Sequence, residues 1–389
     1  MRTATRTHTF SESVIRGMTR IANLHGAINL AQGFPDFPAP DVLKVAAIEA
    51  IRGDINQYAI TWGAKRLRDA LAAKYAEWYG LGIDPESELT VTCGGTEAMA
   101  SVMLALVDPG DEVVIFEPFY ENYGPDVILC GARPVYVPMP VDAPIDLDLL
   151  ATAFSSRTRA IIINTPNNPT GRVLSRSELE AIALLCQRYD VLAVTDEIYE
   201  HIYYEGSHIP MATLPGMRDR TVTTSGASKT FSVTGWRVGT IVAPAKLTEA
   251  IRKVHDFLTV GAPAPLQEGV AAGLEQLGPD YYAGLAADYE ERRDLLCRGL
   301  ADAGFRCTPP EGAYYVLADF SDLSDRNDTA FAEWLTREIG VATVPGSSFC
   351  SRPALGRHLV RFAFCKSLPM LQEATDRLKG LRAGKVAEG

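Results

Sequence analysis

No two cysteines in this sequence are spaced as Cys-x-x-Cys, and the seven present, at 93, 130, 186, 297, 307, 350 and 365, are scattered and odd in number. That excludes a disulfide-stapled scaffold and a structural zinc site, and it fits free thiols in a reducing compartment. Histidine is scarce too: six residues, none at metal-ligand spacing and no His-Glu-x-x-His, so no metal is expected. No stretch of about 18 apolar residues occurs, so no membrane span is expected. The first residues, Met1-Arg2-Thr3-Ala4-Thr5-Arg6, lack the apolar core of a secretory signal, which points to a cytoplasmic protein. Positive charge is in deficit. Lys and Arg number 37 against 48 Asp and Glu, a net charge of -11, which argues against nucleic acid as a partner.

What remains is an ordinary globular composition, 47% hydrophobic and 22% charged over 389 residues, enough for about two domains. The chain opens with a polar segment and a weak helix around Ser13–Leu24. A stiff, proline-rich run follows, Asn29-Leu30-Ala31-Gln32-Gly33-Phe34-Pro35-Asp36-Phe37-Pro38-Ala39-Pro40. Asp41 is placed to cap a helix reaching Ile51, and Gly63–Tyr79 reads as amphipathic, with Leu67, Leu71 and Tyr75 on one face. Strand and helix then alternate. Strands are expected at Glu88–Cys93, Glu112–Phe116, Ala160–Asn164, Val191–Thr195, Thr221–Ser225 and Val238–Val242, with helices at Ala98–Val107 and Ser177–Tyr189. Strands apolar on both faces and separated by helices predict an α/β fold with a largely parallel sheet covered on both sides. After about Gly278 the pattern becomes a smaller α+β unit. It has a long helix Tyr281–Ala303, short strands at Phe305–Thr308, Ala313–Ala318 and Leu359–Phe364, and helices at Ala330–Ile339 and Met370–Leu381. The boundary is expected to run through a continuous helix.

One stretch stands apart. From Thr221 to Trp236 the sole charged residue is Lys229, set among glycines and small hydroxyl residues in Ser225-Gly226-Ala227-Ser228-Lys229-Thr230-Phe231-Ser232-Val233-Thr234-Gly235-Trp236-Arg237. A lysine without a carboxylate and away from water has its charged form disfavoured and becomes a usable nucleophile. Arg237 offers a fork of donors for a phosphate or carboxylate. Read alone, the stretch is equally a Ser/Thr-rich surface loop. Other polar residues fall at strand ends, where open α/β sheets bind ligands. Gly94, Gly95 and Thr96 lie where a strand gives way to a helix N-terminus, a place for a phosphate or an ordinary turn. Asn168 follows an apolar strand in a turn of prolines and asparagines. Asp196 ends a buried strand and needs a cationic partner, if only a structural one. Tyr199 follows three residues on, and Tyr120 supplies an aromatic face. A phosphate cradle, a buried acid, an amide, a phenol, an arginine and an isolated lysine together match the needs of pyridoxal 5′-phosphate.

Asn164-Thr165-Pro166-Asn167-Asn168-Pro169-Thr170-Gly171, Thr195-Asp196-Glu197-Ile198-Tyr199, Ser228-Lys229-Thr230-Phe231 and Gly235-Trp236-Arg237-Val238-Gly239 resemble class I/II aminotransferases of the aspartate aminotransferase fold, fold type I. The segment Asn29–Phe37, Asn56-Gln57-Tyr58 and Arg361-Phe362-Ala363-Phe364-Cys365-Lys366 are most similar to the kynurenine/glutamine/methionine aminotransferase branch. The resemblance runs from Asn29 to Lys366. It implies a seven-stranded, mostly parallel sheet in a large cofactor-binding domain, 46–280. An N-terminal arm with part of the small domain, 1–45, and a C-terminal small domain, 281–389, complete the implied layout. It further implies that Lys229 carries pyridoxal 5′-phosphate as a Schiff base and shuttles the proton between the substrate Cα and the cofactor. Asp196 pairs with the ring nitrogen, Tyr199 and Asn168 bond the ring hydroxyl, and Tyr120 stacks on the ring. Gly95, Thr96 and Arg237 hold the phosphate, with Tyr58 reaching over from the partner of a homodimer. Arg361 clamps the substrate carboxylate, and the backbone at Gly33 closes on it.

Three departures from the family's pattern bear on this. A hydroxyl residue three positions before the lysine is replaced by Gly226, with Ser225 and Ser228 nearby. Ile15 stands where aromatic-substrate members have a tryptophan, and Val260-Gly261 stands where they have an aromatic and a histidine. Less aromatic surface predicts donors with aliphatic or small polar side chains, among them methionine, glutamine, alanine and aspartate, rather than kynurenine. No second arginine for a distal carboxylate is evident, although Arg16 and Arg20 are available. Two alternatives compete. One is a cysteine-conjugate C–S β-lyase on the same fold. The other is a non-catalytic sensor module of a transcription regulator, disfavoured by the acidic charge and by the roughly 30 residues before Asn29, too few for a DNA-binding domain.

Overall fold

The computed structural model describes residues 3–382, so the extreme ends of the first and last expected domains, 1–2 and 383–389, lie outside the described residues. Twelve strands occur in this span: β1 Ile28–Asn29, β2 Leu89–Thr92, β3 Glu112–Glu117, β4 Arg133–Pro138, β5 Thr158–Asn164, β6 Leu192–Asp196, β7 Thr221–Gly226, β8 Gly239–Val242, β9 Tyr315–Asp319, β10 Val341–Ala342, β11 Val344–Pro345 and β12 Leu359–Ala363. Seven of them form one sheet in the order β2-β8-β7-β6-β5-β3-β4. All neighbours are parallel except β8, which runs antiparallel to both β2 and β7.

The continuous apolar runs follow from burial on both faces. Val113, Ile115, Ile162 and Val194 enter one core with the helix Gly95–Leu106. Their immediate neighbours Val114, Phe116, Ile163 and Ala193 enter another with the helix Arg176–Tyr189. That second helix starts at a capping box, Ser175 and Glu178 each bonding the other's backbone. The register aligns the carboxyl ends of the central strands: Asn164 pairs with Asp196, and Asp196 with Thr224. Three polar residues thus sit in a row at one edge of an apolar sheet.

A second sheet, β11-β12-β9, is antiparallel, and β1 pairs with β10. Ile15, Met18 and Leu30 pack there with Leu285, Leu300, Phe362 and Leu371 in a single cluster. The 25-residue helix Pro279–Ala303 spans two cores, with Tyr282 in the one beneath the lysine stretch and Leu285 through Ala303 in this cluster.

Some expectations need correction. Phe305–Thr308 is not a strand, because only Arg306 forms a bridge, to Asp319. Asp41 does not cap its helix. Pro40 holds the N-cap position and Asp41 sits in the first turn of Asp41–Arg52 without a capping hydrogen bond. Several elements were not expected from sequence, among them the helices Tyr123–Leu129, Leu147–Thr152, Ala245–Thr259 and Ala264–Gln276 and the strands β1, β4, β10 and β11.

Candidate active site

The site is built at the aligned strand ends. The turn after β2 is glycine for a steric reason. Gly94 has φ +84°, and a Cβ on it would lie 2.2 Å from a terminal nitrogen of Arg237. The helix that follows, Gly95–Leu106, has no side-chain cap among the described residues, so its first N–H groups and its dipole face outward beside that guanidinium. Arg237 Nη1 and Nη2 donate to the carbonyls of Thr234 and Cys93 at 3.1 and 3.4 Å. This concavity suits an anion.

Asp196, last residue of β6, makes no ion pair among the described residues. Its Oδ2 accepts from the Tyr123 hydroxyl at 2.7 Å and its Oδ1 from the Ile198 amide at 3.3 Å. Burial raises its pKa, and the Tyr123 bond only partly opposes this. A protonated nitrogen placed beside it would restore the charged form. The Asn164 side chain donates to the Asp196 carbonyl at 2.8 Å and accepts from the Asn168 amide at 2.8 Å, tying the two strand ends together. Tyr199 donates to the Tyr315 hydroxyl at 3.1 Å. Tyr120 packs edge-on against Tyr123, ring centroids 5.7 Å apart.

Lys229 is aimed by its neighbours. Ala227 and Phe231, four residues apart, plug into the core beneath the stretch, and the Tyr281 hydroxyl donates to the Thr230 carbonyl at 2.7 Å. That leaves Lys229 on the opposite side of the single turn Ala227–Thr230. Its Nζ donates to the Gly33 carbonyl at 3.2 Å and lies 5.6 Å from the centre of the Tyr314 ring. Burial pushes its pKa down to about 8, against the pull of Cys365 and Asp196. The Tyr314 hydroxyl shares the Gly33 carbonyl at 3.1 Å. Gly33 is required there, since a Cβ would sit 2.0 Å from the Tyr315 hydroxyl.

Arg361, on β12, is fully buried, with its guanidinium 4.2 and 4.8 Å from the ring centres of Tyr315 and Phe349. Nη1 donates to Asn168 Oδ1 at 2.8 Å and Nη2 to the Ala31 carbonyl at 2.7 Å, while Nε has no partner among the described residues. A buried charge with a spare donor is a receptor for a carboxylate.

Lys229, Asp196, Asn168, Tyr199, Tyr120, Gly33 and Arg361 therefore meet in one place, and Gly95, Thr96 and Arg237 flank it. Tyr58 does not join them within the chain: its side chain is 85% exposed on the surface. Ser225 is turned away, its hydroxyl donating to Glu200 Oε1 at 2.8 Å, so it offers nothing to the anion site. Gly226 cannot carry the missing hydroxyl, because a Cβ would lie 2.8 Å from the Val238 carbonyl across the β7–β8 pair. Arg20 is committed to Glu12 at 2.8 Å. Ile15 is buried, and Val260 adopts φ +67° beside Gly261. Sequence reasoning missed Tyr123, Tyr314, Tyr315 and Phe349. Only Tyr123, one turn after Tyr120, left a trace in the sequence.

The donor set fits pyridoxal 5′-phosphate. An anion cradle, a carboxylate lacking a cation, an isolated amine of depressed pKa and an arginine with a spare donor correspond to its phosphate, ring nitrogen, aldehyde and amino-acid partner. The family described as Aminotransferase class I and II matches residues 25–378. A probable N-succinyldiaminopimelate aminotransferase of Mycobacterium tuberculosis is 41% identical over 97% of this chain and 98% of its own. Methionine aminotransferase of Escherichia coli is 37% identical over 95% and 96%, and kynurenine–oxoglutarate transaminase 1 of Homo sapiens is 37% identical over 92% and 93%. The solved structure of N-succinyldiaminopimelate aminotransferase from Mycobacterium tuberculosis superposes with a TM-score of 0.95, covering 98% of this chain and 100% of that one.

Proposed function

The chain belongs to the class I and II aminotransferases, enzymes dependent on pyridoxal 5′-phosphate, and we propose that it moves an amino group between an L-amino acid and a 2-oxo acid in two ping-pong half-reactions, with Lys229 as the cofactor's covalent anchor. One observation carries this reading. Arg361 Nη2 and Lys229 Nζ both bond the same short backbone segment, at Ala31 and Gly33, so a carboxylate grip and a proton-moving amine are fixed relative to each other. The cofactor, when bound, supplies an aldehyde that condenses with amines and a ring that takes up the electron pair released at Cα.

The residues of this chain do the rest. Gly95, Thr96 and Arg237 would hold the phosphate, aided by Tyr58 donated across a homodimer interface. Asp196 would keep the ring nitrogen protonated, with Tyr123 fixing the carboxylate. Asn168 and Tyr199 would donate to the ring hydroxyl, and Tyr120 would cover one ring face. Arg361 binds the substrate α-carboxylate bidentately and so orients its Cα–H toward Lys229. Lys229 Nζ, once free, takes that proton as general base and holds it for return. Gly33 and the tyrosines around it exclude water. The cofactor-binding body spans 46–280. The smaller one, 1–45 with 281–389, carries Arg361. The common cluster of Ile15, Leu30 and Leu371 supports this division. Seven free cysteines support a cytoplasmic setting.

Donors with aliphatic or small polar side chains, such as methionine, glutamine, alanine or aspartate, suit this pocket better than kynurenine, because Ile15 and Val260-Gly261 bring no aromatic ring to it. The named activities of the relatives define the test. kcat/KM is measured for methionine, glutamine, alanine, aspartate, N-succinyldiaminopimelate and kynurenine with a panel of 2-oxo acids. Kynurenine as best donor would defeat the pocket argument. Pyruvate and ammonia formed from a cysteine conjugate without any acceptor would mark lyase chemistry instead.

A further inference from the structure

Outside the site itself, three separate segments converge on one buried side chain. His255, on the helix Ala245–Thr259, has no exposed surface. Its Nδ1 lies 3.0 and 3.2 Å from the two carboxylate oxygens of Glu97, and its Nε2 lies 2.8 Å from the Thr61 carbonyl. Glu97 stands in the first turn of the helix behind Gly94 and Gly95 and accepts the Cys93 amide at 2.9 Å, so it holds the cradle turn from behind. Thr61 comes three residues after Tyr58. The Cys93 thiol in turn donates to the Gly261 carbonyl at 3.4 Å, joining the turn after His255 to the same knot.

The protonation state follows from the partners. A carbonyl only accepts, so Nε2 carries a proton. Nδ1 faces both Glu97 carboxylate oxygens, acceptors that already hold the Cys93 amide and the Ser101 hydroxyl, and these lie closer than the Thr259 hydroxyl at 3.3 Å, so Nδ1 carries one as well. Burial opposes the resulting charge, but the bond and charge of Glu97 outweigh it and raise the pKa of His255, with Asp256 adding in the same direction.

We propose that His255 is a positioning residue for the cofactor phosphate. As an imidazolium it clamps the Gly94–Thr96 cradle, through Glu97, to the segment at Thr61 that presents Tyr58 to the neighbouring subunit, so that the cradle of one phosphate site is held in place by the loop that serves the other. This rests on the aminotransferase reading above and adds a residue that touches neither cofactor nor substrate. It acts on the phosphate alone, which separates it from a general role in folding.

The test compares wild-type holoenzyme with His255→Asn, which keeps a donor toward Glu97, His255→Gln, which keeps one toward Thr61, and Glu97→Gln. Cofactor release is followed by loss of the Lys229-dependent visible band, for protein loaded with pyridoxal 5′-phosphate and for protein loaded with pyridoxal. Losing one charge-assisted hydrogen bond is worth about a tenfold change or more. The expected result is release of pyridoxal 5′-phosphate faster by at least that factor in all three variants, with release of pyridoxal unchanged. Unaltered phosphate-form release in the variants overturns the proposal, as does equal loss of both forms, which marks plain structural damage. A wild type with no Lys229-dependent band brings down the aminotransferase reading itself, and this proposal with it.

Discussion

Arg361 is the residue whose replacement should speak most directly to substrate binding. Its planar fork is held between two aromatic rings and already bonded to Asn168 and Ala31. Lysine keeps the charge and loses the fork. Arg361→Lys is expected to lower kcat/KM for amino donors by about 10²-fold or more, roughly 3 kcal/mol, the scale for disabling one partner of a buried charged pair. The cofactor's visible band should be unaffected, and steady-state kinetics beside a spectrum check both parts. Lys229 makes a pH prediction. Burial pushes its pKa down to about 8, so the amine is neutral and nucleophilic above that pH and protonated below it. Uptake of pyridoxal 5′-phosphate by cofactor-free protein should accelerate with a midpoint near 8, and stopped-flow rates across pH 6–10 would show it. A midpoint near the ordinary lysine value of about 10.4 would contradict the burial argument. Lys229, Asp196 and Asn168 stood out in the sequence for different reasons: a lone charge, a carboxylate ending an apolar strand, and an amide in the Pro/Asn-rich turn after one. Tyr314, Tyr315 and His255 did not, because nothing near them in sequence records the Gly33 carbonyl, the Tyr199 hydroxyl or the Glu97 carboxylate that they respectively meet.

Among elements, the antiparallel pair β7–β8 explains the most conspicuous departure from the family pattern. The strands approach closely at Gly226 and Gly239, which face each other in register, and Gly239 in turn presses on the Gly94–Gly95 turn. Restoring a hydroxyl with Gly226→Ser is therefore expected to fail as a repair. Its Cβ meets the Val238 carbonyl, and overpacking of this kind costs about 1–3 kcal/mol. Urea unfolding should show that loss, and cofactor retention should fall rather than rise. The same close packing hid part of the fold from the sequence. Gly269 and Gly273 interrupt the helical pattern of Ala264–Gln276, yet they are there so that Leu43 of the helix Asp41–Arg52 can approach its backbone. β4 carries Pro134 and Pro138, which an edge strand tolerates but which argue against a strand when only the sequence is read. Tyr123–Leu129 and Leu147–Thr152 are too short, at seven and six residues, for their period to register. Phe305–Thr308 alternates like a strand, but its neighbours offer it only one bridge.

At the scale of the molecule, the proposed homodimer would give an exposed tyrosine its function. Tyr58 is 85% exposed, and Phe257, on the helix that carries His255, is 92% exposed. A homodimer that lent Tyr58 to the neighbouring phosphate site, as proposed above, would account for it. Tyr58→Phe is then expected to weaken cofactor retention by about tenfold, the worth of one hydrogen bond to a charged group, while sedimentation still reports a dimer. Retention unchanged at dimer concentrations would remove Tyr58 from the site.

The visible absorption spectrum reads whether Lys229 anchors pyridoxal 5′-phosphate for transamination in this chain. Wild type and Lys229→Ala are each mixed with pyridoxal 5′-phosphate and then with single amino acids. Transamination through Lys229 requires a visible band in wild type only, bleached to the pyridoxamine form by the amino acids that serve as donors and restored by a 2-oxo acid. A band that does not depend on Lys229, or one that no amino acid bleaches, would contradict it.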